Sequence, residues 1–273
     1  MTTGSRTFVL LYGVHGNEAM GARAVAAGLA GLLNDKHGVR ILGPVMPWST
    51  ARSYRFDADL VDPNRVFASP CSDPSSHSDR LEQVWQLWND LQPCSPEAML
   101  VFIQTCHQQL MPMDQLIRTP QFSHPGLPGF SLTPHPLRYQ SRIAQLADRC
   151  CMGLAPDQPV TLVDVHLGVG AHGRTVVHGH DRDDSAIPEG SMLHQLQQVL
   201  VKKGFSVRTV LTETGTESNL HGLLALLQEL AHRSRWGQQR QVALRPLIGP
   251  TWCTALQHHL LADLREHVLP ILL

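Results

Sequence analysis

Charge is scarce in this chain. Asp, Glu, Lys and Arg make up 16% of its 273 residues, the formal net charge is -1, and no block of one sign stands out. That removes the electrostatic case for nucleic acid or an anionic membrane as a partner, because both are met by a basic patch or stripe. A charged substrate would have to be recognised by a few local residues. Long apolar runs are lacking as well: none approaches the roughly 18 residues of a membrane-spanning helix. Met1 to Arg6 has no basic region followed by a long apolar segment, so no signal peptide is expected. The six cysteines contain no C-x-x-C pair, and Cys150 and Cys151 are adjacent. Reduced and mostly buried thiols in a cytoplasmic protein are the expectation. No internal repeat, no G-x-x-x-x-G-K-[ST] and no G-x-S-x-G is found. Repeat architectures, P-loop chemistry and an elbow-type serine nucleophile therefore have no footing.

What is present is an alternation of strand-like and helical segments. Thr7 to Val14 reads as a strand. The following helix, Ala19 to Leu33, repeats small and apolar residues at Ala22, Val25, Ala26, Leu29 and Leu32-Leu33. Val39 to Val45 reads as a second strand. Trp48 to Arg80 reads as a long polar loop, a feature that is usually functional or disordered. Its first half carries Arg52, Arg55, Asp62, Asn64 and Arg65 and is read as functional; Ala68 to Asp79 is read as mobile. Leu81 to Leu91 is predicted helical, with Trp85 and Trp88 on a core face. Ser95 caps the next helix, with Pro96 at its first position, and that helix runs through Phe102 and Leu110 towards Ile117. After a second loop, Pro120 to Pro136, comes a helix from Leu137 to Cys151.

Val160 to Val165 is predicted as a strand ending on His166, with Arg174 to His178 as a neighbouring strand. Ser191 to Lys203 is an amphipathic helix closed by Gly204. Phe205 to Leu211 is a strand running into Thr212-Glu213-Thr214-Gly215-Thr216, and helices from Ser218 to Arg235 and Trp252 to Val268 finish the chain. The pattern predicts one α/β domain over residues 1–273: three layers, a mostly parallel or mixed central sheet, and helices on both faces.

In such a sheet ligands sit outside the carboxyl ends of the strands. Three strands lead there into metal or acid–base chemistry: the first into His15 and Glu18, the second into His166, the third into Glu213. Two imidazoles and one carboxylate are a three-ligand set for a catalytic zinc. Glu213, unligated, is then the candidate general base and acid. His172, His178 and His180 compete with His166 as ligand, and Glu217 with Glu213. Arg65, with Asn64 and Arg55 nearby, suits a carboxylate clamp, since a guanidinium pairs with carboxylates in bidentate fashion.

The ordered motifs His15-Gly16-Asn17-Glu18, Asp62-Pro63-Asn64-Arg65-Val66-Phe67, Asp164-Val165-His166 and Glu213-Thr214-Gly215-Thr216 resemble the zinc carboxypeptidase-like superfamily. That superfamily includes the aspartoacylase and succinylglutamate desuccinylase branch. The nearest likeness is to a bacterial branch defined mainly as a domain of unknown function, with an Arg ten residues before the second Arg (Arg55 and Arg65) and an H-P-x-G segment (compare His124-Pro125-Gly126). The resemblance spans roughly residues 7–235. It implies one Zn2+ per chain on His15, Glu18 and His166, and Arg55 polarising the scissile carbonyl. Asn64 and Arg65 would grip a substrate carboxylate, with Glu213 as base and acid. Pro63 and Leu167 depart from the usual residues at their positions.

The resulting expectation is a zinc-dependent hydrolase of an amide bond. Its substrate would be a small carboxylate-bearing molecule, an N-acyl amino acid or the C-terminal residue of a short peptide. The alternative is a non-catalytic metal- or ligand-binding protein on the same scaffold. A dinucleotide reading of Gly168-Val169-Gly170-Ala171-His172-Gly173 requires a helix to begin there, whereas Arg174-Thr175-Val176-Val177-His178 is strand-like.

Overall fold

A computed structural model describes residues 6–34, 37–58, 62–65, 75–110, 136–169, 173–179, 191–217, 219–233 and 257–273. Five strands form one sheet: β1 (Thr7–Tyr12), β2 (Gly38–Leu42), β3 (Pro159–Val169), β4 (Thr175–His178) and β5 (Ser206–Glu217), in the order β2-β1-β3-β5-β4. The first four positions pair in parallel and β4 runs antiparallel to β5. This is the mixed, mostly parallel α/β sheet that the alternation predicted. β1 and the first part of β3 are apolar on both sides because both sides are covered.

One layer packs α1 (Ala19–Leu33) and the C-terminal helical turns against Phe8, Leu10, Val163, Val165, Leu167 and Val210. The opposite layer packs α5 (Pro136–Cys151) and α6 (Met192–Lys202) against Val9, Leu11, Val160 and Leu162. Ahead of these in the chain are a short α2 (Pro47–Thr50), α3 (Ser75–Leu91) and α4 (Pro96–Gln109). Trp88 of α3 is buried and meets Phe102 of α4 edge-on, ring centroids 5.2 Å apart. The expected cap forms, with Ser95 accepting from the Ala98 amide, and Ser191 likewise accepts from the His194 amide, each at 3.2 Å.

After β5 comes α7 (Asn219–Arg233), and the chain closes with α8 (Gln257–Asp263), a π-helical turn Leu264–Val268 and α9 (Leu269–Leu272). Among the described residues no helix is long and apolar enough to cross a membrane.

Several expected boundaries are corrected. β2 stops at Leu42, short of Val45. The long polar loop is interrupted by α2 and by a 3-10 turn, Pro63–Arg65. α3 begins at Ser75, six residues before the expected start, because a nucleated helix extends through polar residues that carry no apolar period. β3 does not end at His166, nor β5 before Glu213. The two strands pair beyond those residues, His166 opposite Glu213 and Gly168 opposite Gly215, since ladder hydrogen bonds outlast the apolar run. The 120–135 loop, with His124-Pro125-Gly126, lies outside the described residues.

Candidate metal centre

β1 and β3 are neighbours, yet the next helix in the chain after each packs on an opposite face, α1 with one core layer and α6, beyond β4, with the other. The crevice between their carboxyl ends is where such a sheet leaves room for a ligand. His15 follows β1 and precedes a 3-10 turn, Gly16–Glu18, that folds the Glu18 amide onto the His15 carbonyl at 3.3 Å. Gly16 allows this turn to lie on α2: a β-carbon there would sit 2.1 Å from the Ser49 carbonyl carbon. His166 and Asp164 share one face of β3 by the strand's two-residue period.

The imidazoles of His15 and His166 face each other with ring centroids 5.0 Å apart. Each holds one oxygen of Glu18: His15 Nδ1 meets Oε1 at 2.9 Å and His166 Nδ1 meets Oε2 at 3.0 Å. Each turns its other nitrogen to an aspartate, His15 Nε2 to Asp62 Oδ1 and His166 Nε2 to Asp164 Oδ2, both at 3.0 Å. All five side chains are buried. Arg55 bridges the carboxylates, with Nη1 donating to Glu18 Oε1 at 3.1 Å and Nη2 to Asp62 Oδ2 at 3.2 Å. The Leu167 amide also donates to Glu18 Oε2, at 3.2 Å.

Glu213 extends over Gly168. A β-carbon on Gly168 would lie 1.9 Å from Glu213 Oε1, so the bare backbone leaves the space that this carboxylate fills. Half-buried on the strand beside His166, Glu213 is close enough to Arg55 for its charge to stabilise the guanidinium.

The charges answer one another. Burial alone would raise the Glu18 carboxyl, but the His15 charge and hydrogen bonds from His15 and His166 hold it well below the usual carboxylate range. Burial alone would likewise lower His166; Asp164 and Glu18 outweigh it and push the imidazole well above its ordinary value. Arg55 is raised against its own burial by Asp62, Glu18 and Glu213.

The structure thus brings His15, Glu18, His166 and Arg55 into one cluster, with Glu213 beside it. Asn64 lies against His166, its Nδ2 3.3 Å from Nε2, while its Oδ1 is buried without a partner. Arg65 closes the 3-10 turn, its side chain outside the described atoms. His178 sits on edge strand β4 opposite Leu211 and is not part of the cluster. His172 and His180, and the Glu217 side chain, are outside the described atoms. No helix follows Gly173; β4 does, which removes the helix that a dinucleotide fingerprint needs.

Two site residues gain roles that the motifs did not assign, Asp62 and Asp164. Asp164 had a signal, since it stands two residues before His166 in a strand. Asp62 stands in the loop and motif that the sequence singles out, but nothing there ties it to His15, 47 residues away.

Do these residues suit a metal ion? One ligand atom from each of His15, Glu18 and His166 lies within 4.8 Å of the other two, and among the described residues this is the one His/Cys/Asp/Glu group with that spacing. A carboxylate on each Nε2 keeps a proton there, so that an Nδ1 giving up its own proton to a metal would turn its lone pair inward, the second-shell pattern of metal-ligating histidines. Two imidazole nitrogens and a carboxylate suit zinc and its neighbours in the transition series. Asp164 spends Oδ2 on His166 and keeps Oδ1 buried without a partner. The donor set fits a divalent ion.

No protein-family model matches the chain, and no curated protein matches it.

Proposed function

We propose that this protein is a zinc-dependent hydrolase of the amide bond in a small carboxylate-bearing substrate, an N-acyl amino acid or the C-terminal residue of a short peptide. The proposal places it on a scaffold of the zinc carboxypeptidase type, related to aspartoacylase and succinylglutamate desuccinylase. One observation carries it: imidazoles 151 residues apart in sequence close on the two oxygens of one buried glutamate, each imidazole backed by its own aspartate.

In this reading His15, Glu18 and His166 hold one Zn2+. The ion would supply Lewis acidity, polarising the scissile carbonyl and making a water easier to deprotonate at neutral pH. Glu213 takes that water's proton and delivers it to the leaving amine. Arg55, already held at the rim by two carboxylates, directs further N–H groups at the oxygen where negative charge develops. Arg65 and Asn64 bind the substrate carboxylate; to donate to it, Asn64 turns its amide away from His166.

The test is Glu213→Gln. Zinc content should stay at one per chain while kcat falls by at least about two decades, the scale of a lost general base. Unchanged turnover would remove Glu213 from the mechanism. Zinc binding with no hydrolysis by either protein would favour a binding protein on the same scaffold.

A further inference from the structure

Residues Tyr54 to Asp57 carry Arg55 to the metal centre, yet they belong to no helix or strand. Most of their backbone groups still have partners. The Tyr54 amide donates to Ser49 O, and Tyr54 O accepts from the Asn17 amide at 3.1 Å. The Arg55 and Phe56 amides both donate to one carboxylate, Glu229, at 2.7 Å to Oε2 and 3.1 Å to Oε1. Phe56 O accepts from Ser49 Oγ and from Arg233, and Asp57 O accepts from Arg233 Nη2. Glu229 and Arg233 stand one turn apart on α7 and pair with each other at 3.1 Å. Tyr139 of α5 donates to the Asp57 carboxylate.

A buried loop must place every backbone polar group, and neutral side chains would serve most of them. What stands out is a buried carboxylate, 3% exposed, spanning two consecutive amides. Burial is the largest influence on it and pushes its pKa up, against the donors from Arg55, Phe56 and Arg233. Holding an unfavourably buried charge at this point is explained if two amides must be fixed relative to each other. Two oxygens joined in one plane do that; one hydroxyl or one amide oxygen does not.

We propose that Glu229 and Arg233 are positioning residues for the reaction, bracing the Arg55 backbone so that its guanidinium stays between Glu18 and Asp62 and faces the substrate carbonyl. This rests on the reading above, in which Arg55 stabilises the developing oxyanion. Glu229→Gln keeps the shape and removes one of the two acceptors. It should lower kcat about tenfold or more, as expected when a catalytic group is misplaced by a fraction of an ångström. KM should stay within about twofold and zinc content should not change. In an Arg55→Met background the same substitution should cost less than about threefold, because its effect passes through Arg55. Full additivity there, or a lowered melting temperature with kcat intact, would overturn the brace and leave a plain structural ion pair.

Arg233→Met, which takes the guanidinium from Phe56 O and Asp57 O while leaving Glu229 in place, should reproduce the kcat loss; intact kcat in that variant would count against the brace. The Arg55 Nε–Hε NMR signal, assigned by its loss in Arg55→Met, separates the two claims. If the wild-type chain hydrolyses no amide with zinc bound, the catalytic reading falls. The brace itself is then decided by that signal: displaced or broadened in Glu229→Gln if the brace holds, unmoved if it does not.

Discussion

If the aspartates behind the two imidazoles tune the centre, their amide variants should weaken zinc binding unequally. Among the described residues Asp62 serves three donors. Its Oδ1 accepts from His15 Nε2 at 3.0 Å and from the Asn64 amide at 2.9 Å, and its Oδ2 accepts from Arg55 at 3.2 Å. In Asp62→Asn, keeping the oxygen on His15 turns the new NH2 against a guanidinium; reversing it turns the NH2 against His15 and the Asn64 amide. No orientation serves all three. Asp164 is different, because Oδ2 takes His166 Nε2 while Oδ1 has no partner. In Asp164→Asn the oxygen stays on His166, the NH2 meets no opposing donor, and only the charge assistance of one bond is lost. Removing a second-shell carboxylate costs about 10–100-fold in metal affinity. We expect Asp164→Asn near the lower end and Asp62→Asn near the upper, a gap of roughly 1.4 kcal/mol. Competition of the metal-free variants with a chromophoric zinc chelator measures it. Equal losses within about threefold, or a larger loss in Asp164→Asn, would refute the reasoning.

Other consequences are as direct. Gly168→Ala puts a β-carbon where the Glu213 carboxylate lies; kcat should fall about tenfold or more with zinc stoichiometry unchanged, and full activity would show that Glu213 does not depend on that space. Zinc at about a hundred times its Kd should add about 2.7 kcal/mol of stability, read as a rise of several degrees in melting temperature that a chelator reverses. Leu162→Ala removes a fully buried side chain from the layer under α5 and α6 and should cost about 2–5 kcal/mol in chemical denaturation, with the zinc Kd of the folded fraction unchanged. Burial pushes the Cys106 and Cys150 thiols up to about 12. At pH 8 their thiolate share is then on the order of one part in ten thousand. Mass spectrometry after alkylation of the folded protein should find Cys151 modified and Cys106 and Cys150 protected, with protection lost on unfolding.

The parts of this molecule that could be read from the chain are those whose physics is local. β1 is a run of apolar residues and α1 an apolar repeat, so both show in any short window. His15 and Glu18 occupy one turn, and Asp164 and His166 one strand face, so spacing alone couples them. That His15 and His166 would meet follows from a topological rule, since strands ending at one rim bring their last side chains together, and the rings do face each other at 5.0 Å. The rule says nothing about what stands behind those rings. Asp62 reaches His15 across 47 residues and Glu229 reaches Arg55 across 174, and neither approach leaves a trace in composition or periodicity. The strand ends lie beyond those that the apolar runs predict for a related reason. Once β3 and β5 lie side by side, ladder bonds carry them past their apolar runs, and His166 and Glu213 become register partners. Pairing therefore decides how the centre is built. A carboxylate beyond a strand's end would have to be held by a loop, whereas Glu213 takes its position from the sheet and its room from Gly168. The one catalytic candidate left on irregular backbone is Arg55, and that is the residue whose amide α7 holds.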